Sequence, residues 1–520
     1  MTNICDICGD GRADFVLLLY NMKLLKPTLI LFLLFPLQVL AGNTDVRGEW
    51  YAEMSLMGAG RRAMPFWSYT NRGGILPSSP GATVNAGASS AFFNANDFRF
   101  SAGLAVAGYY SAETEAYMPL RTSKKSCFRG FLPEAYVSAG WRNLNLDLGI
   151  KRREMDFGGL SITGGDLTFT DNSMNFPGYN LHSDWMAVPK TRGILAVRFD
   201  FGDYGMWDNR YVKHALLHNQ ALYFRVALTK KLTLTAGLED WVQWGGDSPL
   251  YGPQPHSFTD YLKILVGSNG GDDASKSDQI NALGNHLGRE LVRLDWAEEK
   301  WTLTFQHDIP FEDGSGVGFQ NFPDGVNTLH FSFNDKEKWV SDLLLEFIYT
   351  KWQSGIRHDR PATPEELKKN PEKTRYVVGG CDNYFNNGEY KSGWTYNGKV
   401  VGLPLFTPMP VGENGITPGV CNNRIVAWNF GVGGMVCRKI PYIIKVTYSR
   451  NYGTYGQRLA FFDDVPRQFS GALELTFRDL LPYMSAMAGV YADAGRLFPD
   501  SVGVTLKFLF KGDFGRRRAL

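Results

Sequence analysis

Short charged turns alternate with long polar loops along most of this chain, and both connect segments in which apolar and polar residues alternate one by one. Such segments are extended strands with one apolar and one polar face. A soluble sandwich has no reason to keep two connection lengths in strict alternation, whereas a barrel of the bacterial outer membrane has short periplasmic turns and long outer loops. The short turns are 141–144, 228–232, 296–301, 333–340 and 477–482, and the long loops are 244–289, 309–324, 352–424 and 451–466.

The number of strands follows from the same pattern. About fifteen segments are clear strands, so a closed barrel of sixteen or eighteen is the natural completion. Counting back from the last strand, 501–510, which would end in the periplasm, requires one more strand, and we place it in 161–170. The predicted fold is all-β: a transmembrane antiparallel barrel over residues 98–510, followed by a tail, 511–520. Its charged strand residues should face the lumen, and they include Arg198, Asp200, Arg225, Arg293, Asp295 and Glu346.

The beginning of the chain predicts export. Residues 22–41 have the basic head, apolar centre and small-residue cleavage site of a signal peptide. Residues 1–21 are then an upstream extension from a mis-assigned start. Residues 42–97 combine weak helical spacing with several prolines and glycines, so we expect a small helical or irregular plug at the periplasmic end. No later run reaches the roughly 18 apolar residues of a membrane-spanning helix.

Composition and motif spacing exclude several function classes. Lys plus Arg number 54 against 52 for Asp plus Glu, so no net field indicates nucleic-acid binding. His214 and His218 lack the glutamate and third ligand of a metalloprotease, and the acidic run before Asp278 lacks EF-hand spacing. We therefore predict no metal and no cofactor. A disulfide between Cys381 and Cys421 is compatible with an oxidising compartment, and the sequence does not decide whether it forms.

The stretch 376–408 has the chemistry of a sugar-binding surface. It is rich in glycine, asparagine and aromatic residues, and it follows neither a helical nor a sustained strand period. Aromatic faces stack on sugar rings, and side-chain amides bond to sugar hydroxyls. Arg424, at the end of the same loop, is a candidate partner for a uronic-acid carboxylate. The predicted polysaccharide-binding residues are Asp382, Asn383, Tyr384, Asn386, Asn387, Tyr390, Trp394, Tyr396, Arg424, Glu312 and Asp313.

Glu312 and Asp313, with Asp324, also permit a second interpretation, because a pair of carboxylates is the machinery of a glycosidase. Nothing in the sequence raises the pKa of these groups or fixes their separation, and they lie in a glycine-rich loop. Binding sugar hydroxyls, binding an ion or forming a turn are simpler roles for such residues. We therefore predict no enzyme activity and no catalytic residue.

Four stretches of the chain resemble the Wzi family of capsule-assembly proteins, outer-membrane barrels that act as surface lectins for capsular polysaccharide. The stretches are 208–223, 237–246 (GLEDWVQWGG), 311–325 (FEDGSGVGFQNFPDG) and 382–402, which includes a run similar to the family's from Gly393 to Gly402. The resemblance covers most of the chain after the signal peptide. It implies an eighteen-stranded barrel with a small helical bundle near the periplasmic end, and a role in holding polymer at the surface.

The sequence therefore predicts a monomeric outer-membrane barrel with long extracellular loops. Those loops would bind capsular polysaccharide or exopolysaccharide and help to attach or assemble the capsule, with outer-membrane lipid as the second partner and no nucleic acid. The alternatives are a sugar porin and a hydrolase that modifies polysaccharide in the outer membrane. Steady ionic conductance would favour the porin, and shortening of polymer that depends on Glu312 or Asp313 would favour the hydrolase.

Overall fold

Eighteen antiparallel strands close on themselves to form one barrel in the computed structural model of the chain. The first strand pairs with the second on one side and with the last on the other, from Gly48 opposite Phe514 to Ala59 opposite Gly503. The strand number confirms the prediction of sixteen to eighteen. The structure describes residues 45–61, 63–93, 97–112, 127–272, 274–275, 278–279, 282–312, 320–356, 360–361, 363–369, 376–377, 380–412, 414–455 and 464–514.

The strands follow one another around the barrel in chain order. They are β1 (Asp45–Ala59), β2 (Gly81–Phe93), β3 (Phe98–Ser111), β4 (Cys127–Trp141), β5 (Leu144–Ile150), β6 (Gly178–Ser183, continued by Met186–Ala187), β7 (Leu195–Gly205), β8 (Leu216–Ala227), β9 (Leu232–Trp244), β10 (Asn285–Ala297), β11 (Trp301–Phe311), β12 (Gly325–Phe333), β13 (Asp342–Tyr349), β14 (Ile425–Val436), β15 (Ile440–Asn451), β16 (Arg467–Leu481), β17 (Met484–Gly495) and β18 (Ser501–Phe514).

Helices are few and short. In the described part of the chain they include α1 (Phe66–Tyr69), α2 (Phe258–Leu265), α3 (Pro364–Lys369) and a 3-10 turn, Phe157–Gly159. Two-residue and three-residue strands form four small hairpins in the connections, from Asp247–Ser248 to Val420–Asn422. Within the described ranges, no helix has both the length and the apolar composition needed to cross a membrane.

The two ends of the barrel differ in their connections. We call one the turn end, because it holds both termini of the barrel and short connections such as 142–143 and 482–483. The other, the loop end, holds the long connections 60–80, 151–177, 245–284 and 350–424. The predicted separation of short turns from long loops is confirmed.

Successive strand residues point alternately to the outer wall and into the lumen. On β14, Trp428 and Phe430 are exposed on the outer wall, while Ala427 and Asn429 are buried in the lumen. Exposed leucine, valine and aromatic side chains continue this apolar outer face on the other strands. Such a band is stable against lipid rather than water, so the strands are membrane-spanning segments. Glu346 is buried on the lumen side, where the sequence placed it.

The predicted plug of residues 42–97 is wrong for most of its length. Residues 45–59 and 81–93 are the barrel strands β1 and β2, so the barrel begins at Asp45 rather than at Phe98. The reason is composition: β2 reads GATVNAGASSAFF, and small residues conceal an alternation that only large side chains make visible. The connection 60–80 between these strands includes the helix α1 and lies at the loop end.

Two other boundaries also differ. β18 extends to Phe514, past the predicted end at 510. The extra strand that we expected in 161–170 is instead β6, while 161–170 lies inside the lumen and contacts its wall. The signal peptide at 22–41 and the upstream extension at 1–21 lie outside the described residues, as does the end of the tail from 515 onward.

Three connections fold into the lumen from the loop end. We call them inner loop 1 (60–80), inner loop 2 (151–177) and inner loop 3 (380–424). Their apolar side chains form one continuous core with those of the lumen wall. An open barrel of this size would enclose an aqueous channel, and in this chain the core occupies part of that space. Members of the core include Phe66, Trp67, Ile162, Leu167, Phe169, Phe176, Trp241, Tyr384, Phe385, Trp394, Tyr396, Leu403 and Phe406.

The connection 245–284 folds back against the outer wall instead of extending freely. Its helix α2 begins with a capping box in which Ser257 and Asp260 each accept from the other's backbone N–H. On the wall side, the Tyr261 hydroxyl lies 2.9 Å from Asp203 Oδ2, and Ile264 packs against Val242. The long polar loop predicted here is therefore a packed layer over strands β7 to β10.

Candidate functional site

The four aromatic residues predicted to stack on sugars are buried, which corrects the prediction that they form an exposed platform. Three of them lie in the lumen core, and Tyr390 packs with Val212 and Ala215 of the connection 206–215. Tyr384 and Trp394 are 0% exposed, Tyr390 is 3% exposed and Tyr396 is 5% exposed. Their polar atoms bond inside the protein: Trp394 Nε1 donates to Thr168 O at 2.5 Å, and Tyr384 donates to Asp324 Oδ2 at 2.8 Å. They stabilise the plug, and no sugar can stack on them in this conformation.

Burial of these rings has a clear physical cause. The lumen of an eighteen-stranded barrel is too wide for its own wall side chains to fill, so apolar residues of the loops gain free energy by folding inward. Trp394 packs on Trp241 of the wall with ring centroids 5.9 Å apart, and Tyr396 packs edge-on against Phe176 at 4.7 Å. The sequence pattern does not reveal that the lumen has to be filled, so it gives no reason to place these rings inside.

Inner loops 2 and 3 are bonded to each other through their backbones. Thr170 N donates to Val401 O at 2.9 Å, and Leu403 N donates to Leu167 O at 2.9 Å. Gly402 lies between these bonds, where a Cβ would come within 2.4 Å of Leu167 O. The close approach explains why glycine is needed in this run.

The plug is also bonded to the barrel wall. The buried carboxylate of Glu346 accepts from Ser161 Oγ at 2.5 Å, from Ile162 N at 2.9 Å and from Asn429 Nδ2 at 2.7 Å. From β10 of the wall, Arg289 donates to the Gly165 carbonyl at 2.5 Å. Bonds from ionised side chains are stronger than neutral ones, so these contacts hold inner loop 2 firmly.

The predicted polar binding residues lie closer to the surface than the aromatic ones. Asn383 is exposed, and Asp382, Asn386 and Asn387 are half-buried. Asn383 Oδ1 accepts from Asn386 Nδ2 at 3.0 Å and from Asn423 Nδ2 at 2.6 Å, and Asn387 Oδ1 accepts from the backbone of Tyr390 at 2.9 Å. These amides therefore shape the outer turn of inner loop 3 while leaving edges accessible to a ligand.

Two further candidates have different outcomes. Glu312 Oε1 accepts from Phe385 N at 2.7 Å, so this carboxylate orients inner loop 3 at the mouth of the barrel. Asp313 lies outside the described residues. Asp324 accepts from Trp352 N at 2.8 Å and from Gln353 N at 2.6 Å, in addition to Tyr384. Glu312 and Asp324 thus accept hydrogen bonds that position inner loop 3 and the beginning of the connection 350–424.

Arg424 lies at the rim of the barrel and is half-buried. Its Nε and Nη2 atoms donate to Lys351 O at 3.1 and 3.0 Å, and its guanidinium lies 4.0 Å from the ring centre of Tyr455. Lys351 in turn lies over the ring of Tyr452 at 4.5 Å. The sequence analysis missed Tyr452 and Tyr455, although two tyrosines directly after a predicted strand are a recognisable signal for a rim position.

The candidate metal ligands do not converge. No group of three or more His, Cys, Asp or Glu residues suitable for a metal occurs in the described part of the chain. His214 is paired with Asp247 at 2.9 Å and His218 with Asp203 at 2.9 Å, on separate partners. Cys381 and Cys421, together with Cys127 and Cys437, are free thiols in this structure.

Two buried carboxyl groups connect the outer layer to inner loop 3. Burial and, second, the carboxylate of Glu389 raise the pKa of Asp278 to about 7. Burial also raises the pKa of Glu389. Because the folded state holds protons on these groups at pH values where the unfolded chain has lost them, lowering the pH through this window stabilises the folded loops.

We therefore expect residues 274–284 and inner loop 3 to resist proteolysis better near pH 6 than near pH 8. Limited proteolysis in lipid vesicles, followed by mass spectrometry of the fragments, measures the effect. Asp278→Asn removes one titrating charge, so this variant should stay resistant at the higher pH. Equal cleavage of the wild-type chain at both pH values would contradict the assignment.

A polar cavity remains in the half of the lumen towards the turn end. The cavity has a volume of about 290 Å³. Its charges are already paired, with Lys151 donating to Asp147 at 2.7 Å and Arg99 reaching Asp184 at 3.3 Å. A set of mutually neutralised side chains indicates a hydrated interior rather than a site for a charged ligand.

The fold invites comparison with other barrels. Wzi of Escherichia coli, described as a carbohydrate-binding β-barrel involved in group 1 capsule assembly, is 13% identical, with a TM-score of 0.48 over 91% of this chain and 86% of that chain. OprD of Pseudomonas aeruginosa is 9% identical, with a TM-score of 0.42 over 91% and 95%. OpdH of the same organism is 9% identical, with a TM-score of 0.43 over 90% and 98%.

These comparisons do not assign a family. No family model matches the chain, and no curated protein matches it. At the identities and TM-scores found, the likeness carries no conclusion about ligand or transport. The closed barrel itself is established by its own strand pairing.

Proposed function

We propose that the protein is a plugged barrel of the bacterial outer membrane that binds a surface polysaccharide at its loop end and helps to hold it there. The single observation that supports this most is the core of the three inner loops, which leaves the loop end as a ligand surface and removes the lumen as a passage. The turn end then faces the periplasm and the loop end faces the outside of the cell. The chain contributes binding and no bond cleavage.

The binding surface is the outer turn of inner loop 3 and the rim beside it. Asp382, Asn383, Asn386 and Asn387 offer oxygen and amide edges that suit sugar hydroxyls. Arg424, half-buried at the rim with its guanidinium over Tyr455, offers a planar cation for an acidic sugar. Stacking falls to rings that remain accessible, such as Trp352 and Tyr455, rather than to the buried Trp394.

A porin is the second candidate, and the lumen charges favour it. Arg198, Arg225 and Arg293 face the lumen, where they could attract an acidic solute. However, Arg293 pairs with Asp295 at 3.0 Å and with Asp156 of inner loop 2 at 2.7 Å, so the plug itself uses these charges. We consider binding at the loop end the better account.

Replacing Asn383 and Asp382 together by alanine should release polysaccharide from the cell surface. Each lost charge-assisted or neutral hydrogen bond costs about 1–2 kcal/mol, so the affinity for the host's own polymer should fall by a factor on the order of ten or more. The measurement is the ratio of cell-bound to released polymer in cells that carry equal amounts of inserted protein. Lys391→Ala, a nearby exposed change outside the proposed surface, is the control.

Normal cell-bound polymer in the double variant would contradict this assignment of the surface. Loss of polymer in the Lys391→Ala control as well would indicate a general effect on loop folding. The proposed binding surface requires the two variants to differ.

A further inference from the structure

A group of basic residues lies on the outer rim of the barrel between β13 and β16. We call it the basic rim patch and define it as Lys351, Arg450 and Arg467; the neighbouring Arg424 belongs to the proposed polymer-binding surface. Arg450 on β15 stands directly opposite Arg467 on β16 in the strand register. Both side chains are exposed. Like charges directly opposite each other destabilise a sheet, so this pair has an unfavourable position unless an anion lies between the two guanidinium groups.

The patch faces outward, not into the lumen. On β15, Arg450 alternates with the buried lumen residues Ser449 and Asn451, and on β16, Arg467 precedes the buried Gln468. The next outward residues towards the membrane are Tyr448 and Phe469, which are exposed aromatic rings. Aromatic residues of this kind occupy the membrane interface, so the arginines lie at the level of the lipid headgroups.

The cations of the patch have no acidic partner in the described parts of the chain. The Arg450 guanidinium lies 5.6 Å from the ring centre of Tyr452, and the Lys351 ammonium lies 4.5 Å from the same ring centre. Asp464, which precedes Arg467 by three residues, pairs with Arg496 at 2.5 Å. Among the described residues, the patch therefore has excess positive charge.

We propose that the basic rim patch binds the phosphate groups of an outer-leaflet glycolipid headgroup. Planar guanidinium groups bind phosphate oxygens in pairs, which suits the adjacent Arg450 and Arg467. The exposed rings of Tyr448 and Phe469 contact the acyl chains below the headgroup. This goes beyond the proposed polysaccharide function, because the ligand is a lipid held against the outer wall rather than a polymer held at the mouth.

The test uses the full-length protein in nanodiscs of phosphatidylcholine with added lipid A, a diphosphorylated glycolipid. Native mass spectrometry measures the number of lipid A molecules retained. The double variant Arg450→Gln/Arg467→Gln should bind lipid A more weakly by a factor on the order of ten or more. The matched control is Arg438→Gln/Arg478→Gln, which removes two exposed arginines at the turn end of the same group of strands.

Two further arms distinguish the source of the phosphate. Dephosphorylated lipid A should bind the wild-type protein as weakly as lipid A binds the double variant, whereas free inorganic phosphate should displace lipid A only at high concentration. Equal retention by the double variant and the wild type would overturn the proposal. Equal retention of the dephosphorylated lipid, or equally tight binding of inorganic phosphate, would overturn the assignment to a phosphorylated lipid.

The experiments can separate a failure of the proposed lipid binding from a failure of the proposed polysaccharide binding. Arg450 and Arg467 are not among the residues proposed to bind polymer, so the double variant should keep normal cell-bound polysaccharide. Loss of polymer from this variant, with lipid A binding intact, would contradict the separation of the two surfaces.

Discussion

Trp394→Ala should loosen the plug while the barrel stays closed. The indole is fully buried, packs on Trp241 and donates to Thr168 O, so its removal leaves a cavity and an unpaired carbonyl at the junction of inner loops 2 and 3. Truncating a buried aromatic side chain to alanine costs about 3–5 kcal/mol. This change destabilises the packing of the inner loops and not the barrel, because the barrel is stabilised by its own strand pairing.

Hydrogen–deuterium exchange in vesicles measures this directly. The backbone amides of residues 167–172 and 399–403 should exchange much faster in Trp394→Ala than in the wild type, with little change in β1 and β18. The matched control is Trp207→Ala, because Trp207 is 75% exposed and its removal should leave both regions protected. Protection of inner loops 2 and 3 in Trp394→Ala would show that the lumen core does not depend on this ring.

Shortening inner loop 2 should open the lumen. Residues 156–173 carry the contacts to Glu346 and Arg289 and much of the apolar core, so replacing them with a short Gly-Ser linker removes the central part of the plug. A barrel of sixteen to eighteen strands without a plug encloses an aqueous channel. We expect steady channels in planar bilayers from the shortened protein and only the baseline of protein-free lipid from the wild type.

Folding of the shortened protein needs its own control. Gel mobility in detergent, compared before and after heating and against the wild-type protein, reports whether the strands are still paired by the size of the heat-dependent shift. A shortened protein that keeps this shift and still shows no conductance would contradict the account of the plug. Steady conductance of the wild-type protein would favour the porin.

The sequence predicted the barrel well because strand period and connection length are local properties. Leucine and isoleucine in β5 alternate visibly with polar residues. A turn as short as 142–143 can only join two neighbouring antiparallel strands. The prediction failed at β2, where alanine, glycine and serine hide the alternation. It also misplaced β6, whose short strand follows a segment that has the pattern of a strand but packs in the lumen.

The candidate site was harder to predict because burial in a lumen is not local. Trp394 and Tyr384 have the composition of an exposed sugar platform, and only the empty volume of the closed barrel decides that they point inward. By contrast, Asn383 was correctly expected at the surface, since the turn of inner loop 3 must expose some residues. The basic rim patch was not predicted, because the pairing of Arg450 with Arg467 depends on the register of two strands, and the sequence of one strand does not give that register.

Equilibrium binding of the host's own capsular polysaccharide to the wild-type protein in nanodiscs tests the central claim most directly. The length of the bound polymer, measured by gel filtration after release, distinguishes binding from cleavage. The account predicts saturable binding at the loop end, weakened by the Asp382/Asn383 double variant, with no change in polymer length. Absence of binding by a correctly inserted protein, or recovery of shortened polymer, would contradict it.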